Sequence, residues 1–283
     1  MSDGMAWIWV LFLLIFLIPV LQQRLLARAR KKLMARIEKE SGSRVITLVH
    51  RQEALSFLGL PFFKYISIED SEQILRAIRQ TDSERPIDLI LHTPGGLVLA
   101  SLQISKALQR HPSRVRVLIP HYAMSGGSML AIAADEILMD AAAVLGPIDP
   151  QIGGYPAASL VRLLYQKPRA KIGDQMLIYA DISEKALVQI RFQLESLLKK
   201  SLPERAEELS RVLSEGRWTH DHPISFEEAK SLGLKVSSDL PDLVHDLLEL
   251  YPQPSRRMGS VEYRRQRNKP QNPSKPSGNG ESA

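Results

Sequence analysis

The chain has 283 residues, with 37 Lys and Arg against 31 Asp and Glu, and it contains no cysteine. The length allows one large domain or two small ones, and a hydrophobic share of 44% is enough to build a sizeable core. The missing cysteines exclude disulfides, thiolate zinc sites and a cysteine nucleophile, and a net charge of +6 without a zinc-finger, homeodomain or RNP-like pattern gives nucleic acid no support as a partner.

Residues 6–21, AWIWVLFLLIFLIPVL, carry no charge and form about the shortest helix able to span a bilayer. Trp7 and Trp9 lie at one end, where interfacial aromatics concentrate, and Pro19 lies near the other. A cleaved signal peptide would want basic residues before the run and a small-x-small site after it. The preceding stretch instead holds Asp3 and no Lys or Arg, and no such site follows. The expectation is an uncleaved membrane anchor over residues 1–22, with a signal peptide and a buried core helix as alternatives. Arg24, Arg28, Arg30, Lys31 and Lys32 all follow the run. The positive-inside rule therefore puts the remainder of the chain on the cytoplasmic side of a single span, with membrane lipid as the partner of these charges. Residues 23–43 read as a basic juxtamembrane helix.

Residues 44–251 alternate apolar runs with helical stretches, the pattern of one α/β domain with parallel strands and right-handed crossovers. The predicted elements are a strand at 45–50, a helix at 70–80, a strand at 87–93, a helix at 98–110, a strand at 114–120 and a helix at 126–134. A short strand at 136–140, long helices at 181–200 and 203–214, and a β-α-β-like stretch over 217–236 complete the domain. Residues 252–283 are rich in Pro, Ser, Asn, Gly and Arg, and this basic tail has too few apolar residues to order itself.

Two glycine-containing turns carry the chemistry. Pro94-Gly95-Gly96 and Ser125-Gly126-Gly127-Ser128 each follow an apolar strand and precede a helix, so both fall on the sheet edge where α/β proteins bind ligands. Glycines let backbone N–H groups approach a substrate closely. Taken alone, Ser125 reads first as a helix N-cap, and Ser128 as an early-turn helical residue.

Taken together and in order, the stretches say more. IDLILHTPGGLVLASLQISKALQRH, then VRVLIPHYAMSGGSMLAIAADEILMDAAAVLGPIDPQIGG, then RWTHDHPISFEEAKSLGLKV resemble the ClpP-class serine peptidases. Within that class the chain resembles the signal peptide peptidase A group, and most closely the serine dehydrogenase proteinase (SDH-type) family. The resemblance implies an α/β, ClpP/crotonase-type fold of repeated β-β-α units preceded by one N-terminal transmembrane helix. It also implies Ser125 as the nucleophile, an oxyanion hole from the N–H groups of Gly96 and Gly126, a peptide or protein substrate, a homo-oligomer and no cofactor. No G-x-G-x-x-G follows a strand, so nothing supports nicotinamide binding.

The proton acceptor is less defined. ClpP itself places a histidine one strand and turn after the serine, and here that stretch, GPIDPQ, has Asp149 at about that place and no histidine. The triad's aspartate would fall near Gly216-Arg217, where nothing matches. The signal peptide peptidase A group uses a serine–lysine dyad, and a buried lysine of lowered pKa can act as a base. Lys185, early in the long helix, is the leading candidate, with Lys167 and Lys171 as alternates; each also has the plain reading of a solvated surface charge. His121 reads first as a strand-end histidine bonded to backbone, and Trp218-Thr219-His220-Asp221 receives no role beyond lining the cleft. Two other functions stay open: an acyl-CoA-processing crotonase-like enzyme, and a catalytically inactive membrane scaffold.

Overall fold

The computed structural model describes the backbone of residues 2–51 and 65–251, and the side chains of these from residue 17 onward, Pro19 excepted. The tail at 252–283 lies outside the described residues, as do the side chains of most of the 6–21 run. That run belongs to one continuous helix, α1 (Ser2–Ser41), so the expected anchor and the juxtamembrane helix are a single element. Among the described residues no helix is long and apolar enough to cross a membrane.

The elements then follow as β1 (Arg44–Val49), α2 (Ile68–Arg79), β2 (Ile87–His92), α3 (Val98–Arg110), β3 (Val115–Ile119), β4 (Tyr122–Ala123), α4 (Gly126–Ile132), β5 (Glu136–Met139) and β6 (Val144–Leu145). The second half contains β7 (Gln151–Ile152), β8 (Tyr155–Pro156), α5 (Ala157–Gln166), α6 (Asp174–Ser201), α7 (Ala206–Ser214), β9 (Ile224–Ser225), α8 (Phe226–Ser231), β10 (Val236–Ser237) and α9 (Asp242–Glu249). Five strands form a parallel sheet in the order β1-β2-β3-β5-β10, and β4, β6 and β9 form a small second sheet. Each long strand therefore ends at the same edge. There β3 passes into β4 and then α4, a β-β-α unit as expected.

Every residue of β2 is buried, as it must be in a parallel strand covered on both faces. Ile87, Leu89 and Leu91 pack into the larger core with Ile104, Leu108, Leu130 and Leu194. Ile90 points the other way, toward Ile37, Leu118, Val244 and Leu247. The alternation is the two-residue period of a strand, and it places α1 and α9 behind the sheet. α2 starts with a reciprocal capping box, in which Ser67 accepts from Asp70 N and Asp70 accepts from Ser67 N. These bonds satisfy N–H groups that the first helical turn leaves unpaired.

Asp88 shares the face of Ile90 and is fully buried. It accepts from Arg116 Nε and Nη2, both at 2.6 Å, and from Ser43 Oγ at 2.5 Å. Removing the guanidinium would strand a buried carboxylate. Arg116→Met is therefore expected to cost about 3–5 kcal/mol, read as a lowered urea midpoint at unchanged slope; a midpoint equal to wild type would refute this role.

Three features departed from the sequence expectations. The helix expected from 181 begins at Asp174. Helix α5 was not expected; its ten residues follow β8, just after Gly153-Gly154. The two-residue strands of the second sheet are too short to show a hydrophobic period.

Candidate active site

The two glycine turns are tied together by backbone bonds. Thr93 N donates to Tyr122 O at 3.2 Å, and Met124 N donates to Thr93 O at 3.0 Å. This ladder brings Gly96, Ser125 and Gly126 to one narrow cleft of about 20 Å³, with Val98, Met129, Ile148, Pro150 and Ile190 as its apolar walls and Asp149 as its carboxylate.

Ser125 has φ 50° and ψ −115°, and among the described residues it is the only non-glycine residue with a positive φ. Such a conformation costs about 1–3 kcal/mol and persists only where its surroundings impose it. The N-cap reading of Ser125 is corrected: its side chain makes no cap hydrogen bond. An N-cap residue is extended, and the positive φ turns this side chain away from the N–H groups it would cap.

The Gly95-Gly96 turn is set by close packing. Gly96 bridges Ile66, with Ile66 N donating to Gly95 O at 2.7 Å and Leu97 N donating to Ile66 O at 2.9 Å. A Cβ on Gly96 would collide with the backbone of Ile66, and one on Gly126 with Ser101 Oγ. Within the described residues neither the Gly96 nor the Gly126 N–H donates a hydrogen bond, so both are available to an oxygen in the cleft. Behind the turn, Thr93 Oγ1 accepts from Gly95 N at 3.2 Å and bonds His50 Nδ1 at 2.9 Å, while His50 Nε2 lies 3.3 Å from Asp70. Burial, then the charges of His121, Arg51 and His50, lower the His92 pKa to about 4. A neutral imidazole thus sits at the root of the turn.

Ser128 does more than occupy a helical turn. Its hydroxyl donates to Ala123 O at 2.7 Å and accepts from Gly146 N at 2.9 Å. It fixes the Ser125 turn to the loop that carries Asp149. Asp149 bonds His220 Nδ1 through Oδ1 at 2.6 Å and accepts from Gln151 Nε2 through Oδ2 at 2.7 Å.

The lysines lie elsewhere. Lys185 Nζ donates to Asp181 Oδ2 at 2.5 Å, one helical turn away, and its side chain is 67% exposed. Lys167 follows α5 and Lys171 closes a 3₁₀ turn, both exposed. None of the three lines the cleft. His121 is exposed, and its ring meets Tyr122 edge-on at 5.3 Å instead of bonding backbone. Among the described residues no group of three or more His, Asp or Glu side chains is placed to hold a metal ion. The Asp149–His220 pair is the feature that sequence reasoning missed. The available signal was Asp149 standing where a histidine was expected, which invited a search for a histidine where the aspartate was expected.

A family model described as ClpP-like SDH-type serine proteinase matches residues 1–277. Two uncharacterized proteins of Methanocaldococcus jannaschii are each 52% identical to the chain. One aligns over 262 residues, 92% of this chain and 91% of the relative, and the other over 251 residues, 88% and 86%. A Na(+)/H(+) antiporter NhaA of Brucella abortus is 25% identical over 236 residues, which cover 82% of this chain and 28% of the antiporter.

Proposed function

The chain belongs to the ClpP-like SDH-type serine proteinase family, and from that premise we propose that it is a membrane-held serine peptidase with Ser125 as its nucleophile. The observation that carries this reading is the strained, uncapped Ser125 in one cleft with two glycine amides that donate no hydrogen bond among the described residues. The Ser125 oxygen attacks a peptide carbonyl, and the N–H groups of Gly96 and Gly126 hold the oxyanion. Donors of this kind are worth about 3–4 kcal/mol each where they have been removed. An acyl-enzyme forms, and water releases it.

The test is turnover of a peptide library and, separately, of acyl-CoA thioesters by the full chain in detergent. Peptide cleavage that disappears with Ser125→Ala supports the peptidase. Thioester turnover that survives Ser125→Ala supports the non-hydrolytic crotonase-like reading, and inactivity toward both supports the scaffold.

Membrane attachment rests on the uncharged 6–21 run with its basic C-terminal flank. The catalytic domain then faces the cytoplasm. A C-terminal tag is expected to resist protease in spheroplasts and to be digested after lysis; digestion in intact spheroplasts contradicts this topology. Self-association is supported by the apolar stripe on α6, where Ile178, Ile182, Val188 and Phe192 are exposed.

A further inference from the structure

Thr93 stands between the two glycine turns and is fully buried. Each part of it is engaged. Its N donates to Tyr122 O and its O accepts from Met124 N. Its methyl group packs against the first turn of α4, where a Cβ on Gly127 would lie 2.6 Å from Thr93 Cγ2. Its hydroxyl oxygen accepts from Gly95 N at 3.2 Å. A threonine that bonds the N–H two residues on makes a common local turn, and that bond alone would explain the residue type. Here the same oxygen also meets His50 Nδ1 at 2.9 Å, 43 positions away in the chain.

His50 gives the hydroxyl a direction. Its Nε2 faces Asp70 Oδ2 at 3.3 Å. A carboxylate only accepts, so the neutral ring carries its proton on Nε2 and presents a bare Nδ1. The Thr93 hydroxyl then donates to His50 and keeps its lone pairs for Gly95 N–H. Asp70 is held in turn by Ser67 N at 2.9 Å and Ser67 Oγ at 3.0 Å. Ile66, next in the chain, clamps the glycine turn from its other side through Gly95 O and Leu97 N. Gly95, Thr93, His50, Asp70, Ser67 and Ile66 close a ring around the turn. Little slack is left toward the neighbouring turn, because a Cβ on Gly95 would lie 2.8 Å from Ser125 Cβ and 3.2 Å from Gly126 N.

We infer that Thr93 is a positioning residue for hydrolysis and that, oriented by His50, it sets the spacing of the Gly96 and Gly126 N–H groups. The inference rests on Ser125 being the nucleophile and on these two amides holding the oxyanion. The Thr93 oxygen anchors Gly95, one residue before the first amide. The Thr93 methyl group anchors Gly127, one residue after the second. Two donors on separate turns are thereby registered by one buried side chain. Such donors act at about 2.7–3.1 Å from the oxyanion, and a misplacement of about 1 Å costs about 10²-fold in rate.

The experiment compares Thr93→Val, which keeps the methyl group and removes the hydroxyl, with Thr93→Ser, which does the reverse. The full chain in detergent is read by kcat and KM for peptide hydrolysis, by thermal melts and by amide hydrogen exchange at Gly95. Thr93→Val is expected to lower kcat by about 10–100-fold, to leave KM within about twofold and to speed exchange at Gly95. Thr93→Ser is expected to recover most of the kcat and the slow exchange. His50→Ala is expected to lower kcat in the same direction. Combined with Thr93→Val it should cost no more than Thr93→Val alone, since both act on one bond. Additive losses in that pair overturn the part given to His50. Equal losses in Thr93→Val and Thr93→Ser overturn the part given to the hydroxyl. A lowered melting temperature with unchanged kcat makes Thr93 a structural residue and overturns the inference. Unchanged exchange in Thr93→Val overturns the anchor whatever the catalytic result. Should Thr93→Val fail to fold, His50→Ala against His50→Asn, which places an amide where Nδ1 stands, decides in its place, with recovery expected in the asparagine variant. Hydrolysis that survives Ser125→Ala removes the nucleophile, and the exchange result then still judges the anchor by itself.

Discussion

Ser125→Ala is expected to lower kcat for peptide hydrolysis by about 10⁵-fold or more, the scale seen when a serine nucleophile is deleted, with no loss of stability. The two halves of this expectation have different origins. The catalytic loss follows from removing the atom that forms the acyl bond. The unchanged stability follows because the Ser125 hydroxyl makes no cap hydrogen bond that the fold would miss. Ser125→Gly separates the effects further. Glycine adopts the positive φ without a side-chain clash, so the variant is expected to be about as inactive as Ser125→Ala yet more stable by about 1 kcal/mol. Chemical denaturation of the three proteins checks both points. A Ser125→Gly variant less stable than wild type would show that the strain assigned to this residue is absent.

Gly96→Ala should be the second most damaging small change. The added methyl group meets the backbone of Ile66 on a segment held by hydrogen bonds on either side of the glycine. Neither partner can withdraw easily, so the Gly96 N–H moves off its line into the cleft. Losing one oxyanion donor costs about 10²–10³ in kcat, and little change in KM is expected because the donor acts on charge that develops after binding. Gly173→Ala is the matched control: a Cβ there meets nothing within 4 Å, and the backbone φ is −68°. A Gly96→Ala enzyme with wild-type kcat would remove this amide from the oxyanion hole.

The legible parts of the sequence were those in which one local pattern has one structural solution. β2 was visible because Leu89-Ile90-Leu91 puts apolar side chains on both faces, which suits a strand covered on both sides. The two glycine turns were visible because their glycines sit where backbone must approach backbone, as Gly96 does Ile66. Ser125 was ambiguous on its own, since an N-cap serine and a nucleophile occupy the same position before a helix. Its backbone angles argue against the cap, and angles are not written in the residue type. The lysine candidates came from resemblance to a dyad group, and the structure places all three outside the cleft. The Asp149–His220 pair joins residues 71 positions apart, and no local period can announce a contact of that span. Helix α5 was missed for a related reason, since the glycines just before it read as a longer loop.

The most direct test of the central claim is to label the detergent-solubilised full chain with a fluorophosphonate and locate the adduct by peptide mass mapping. The account predicts a single adduct on Ser125, absent from Ser125→Ala. An adduct on another serine, or none in a preparation that cleaves peptides, would contradict it.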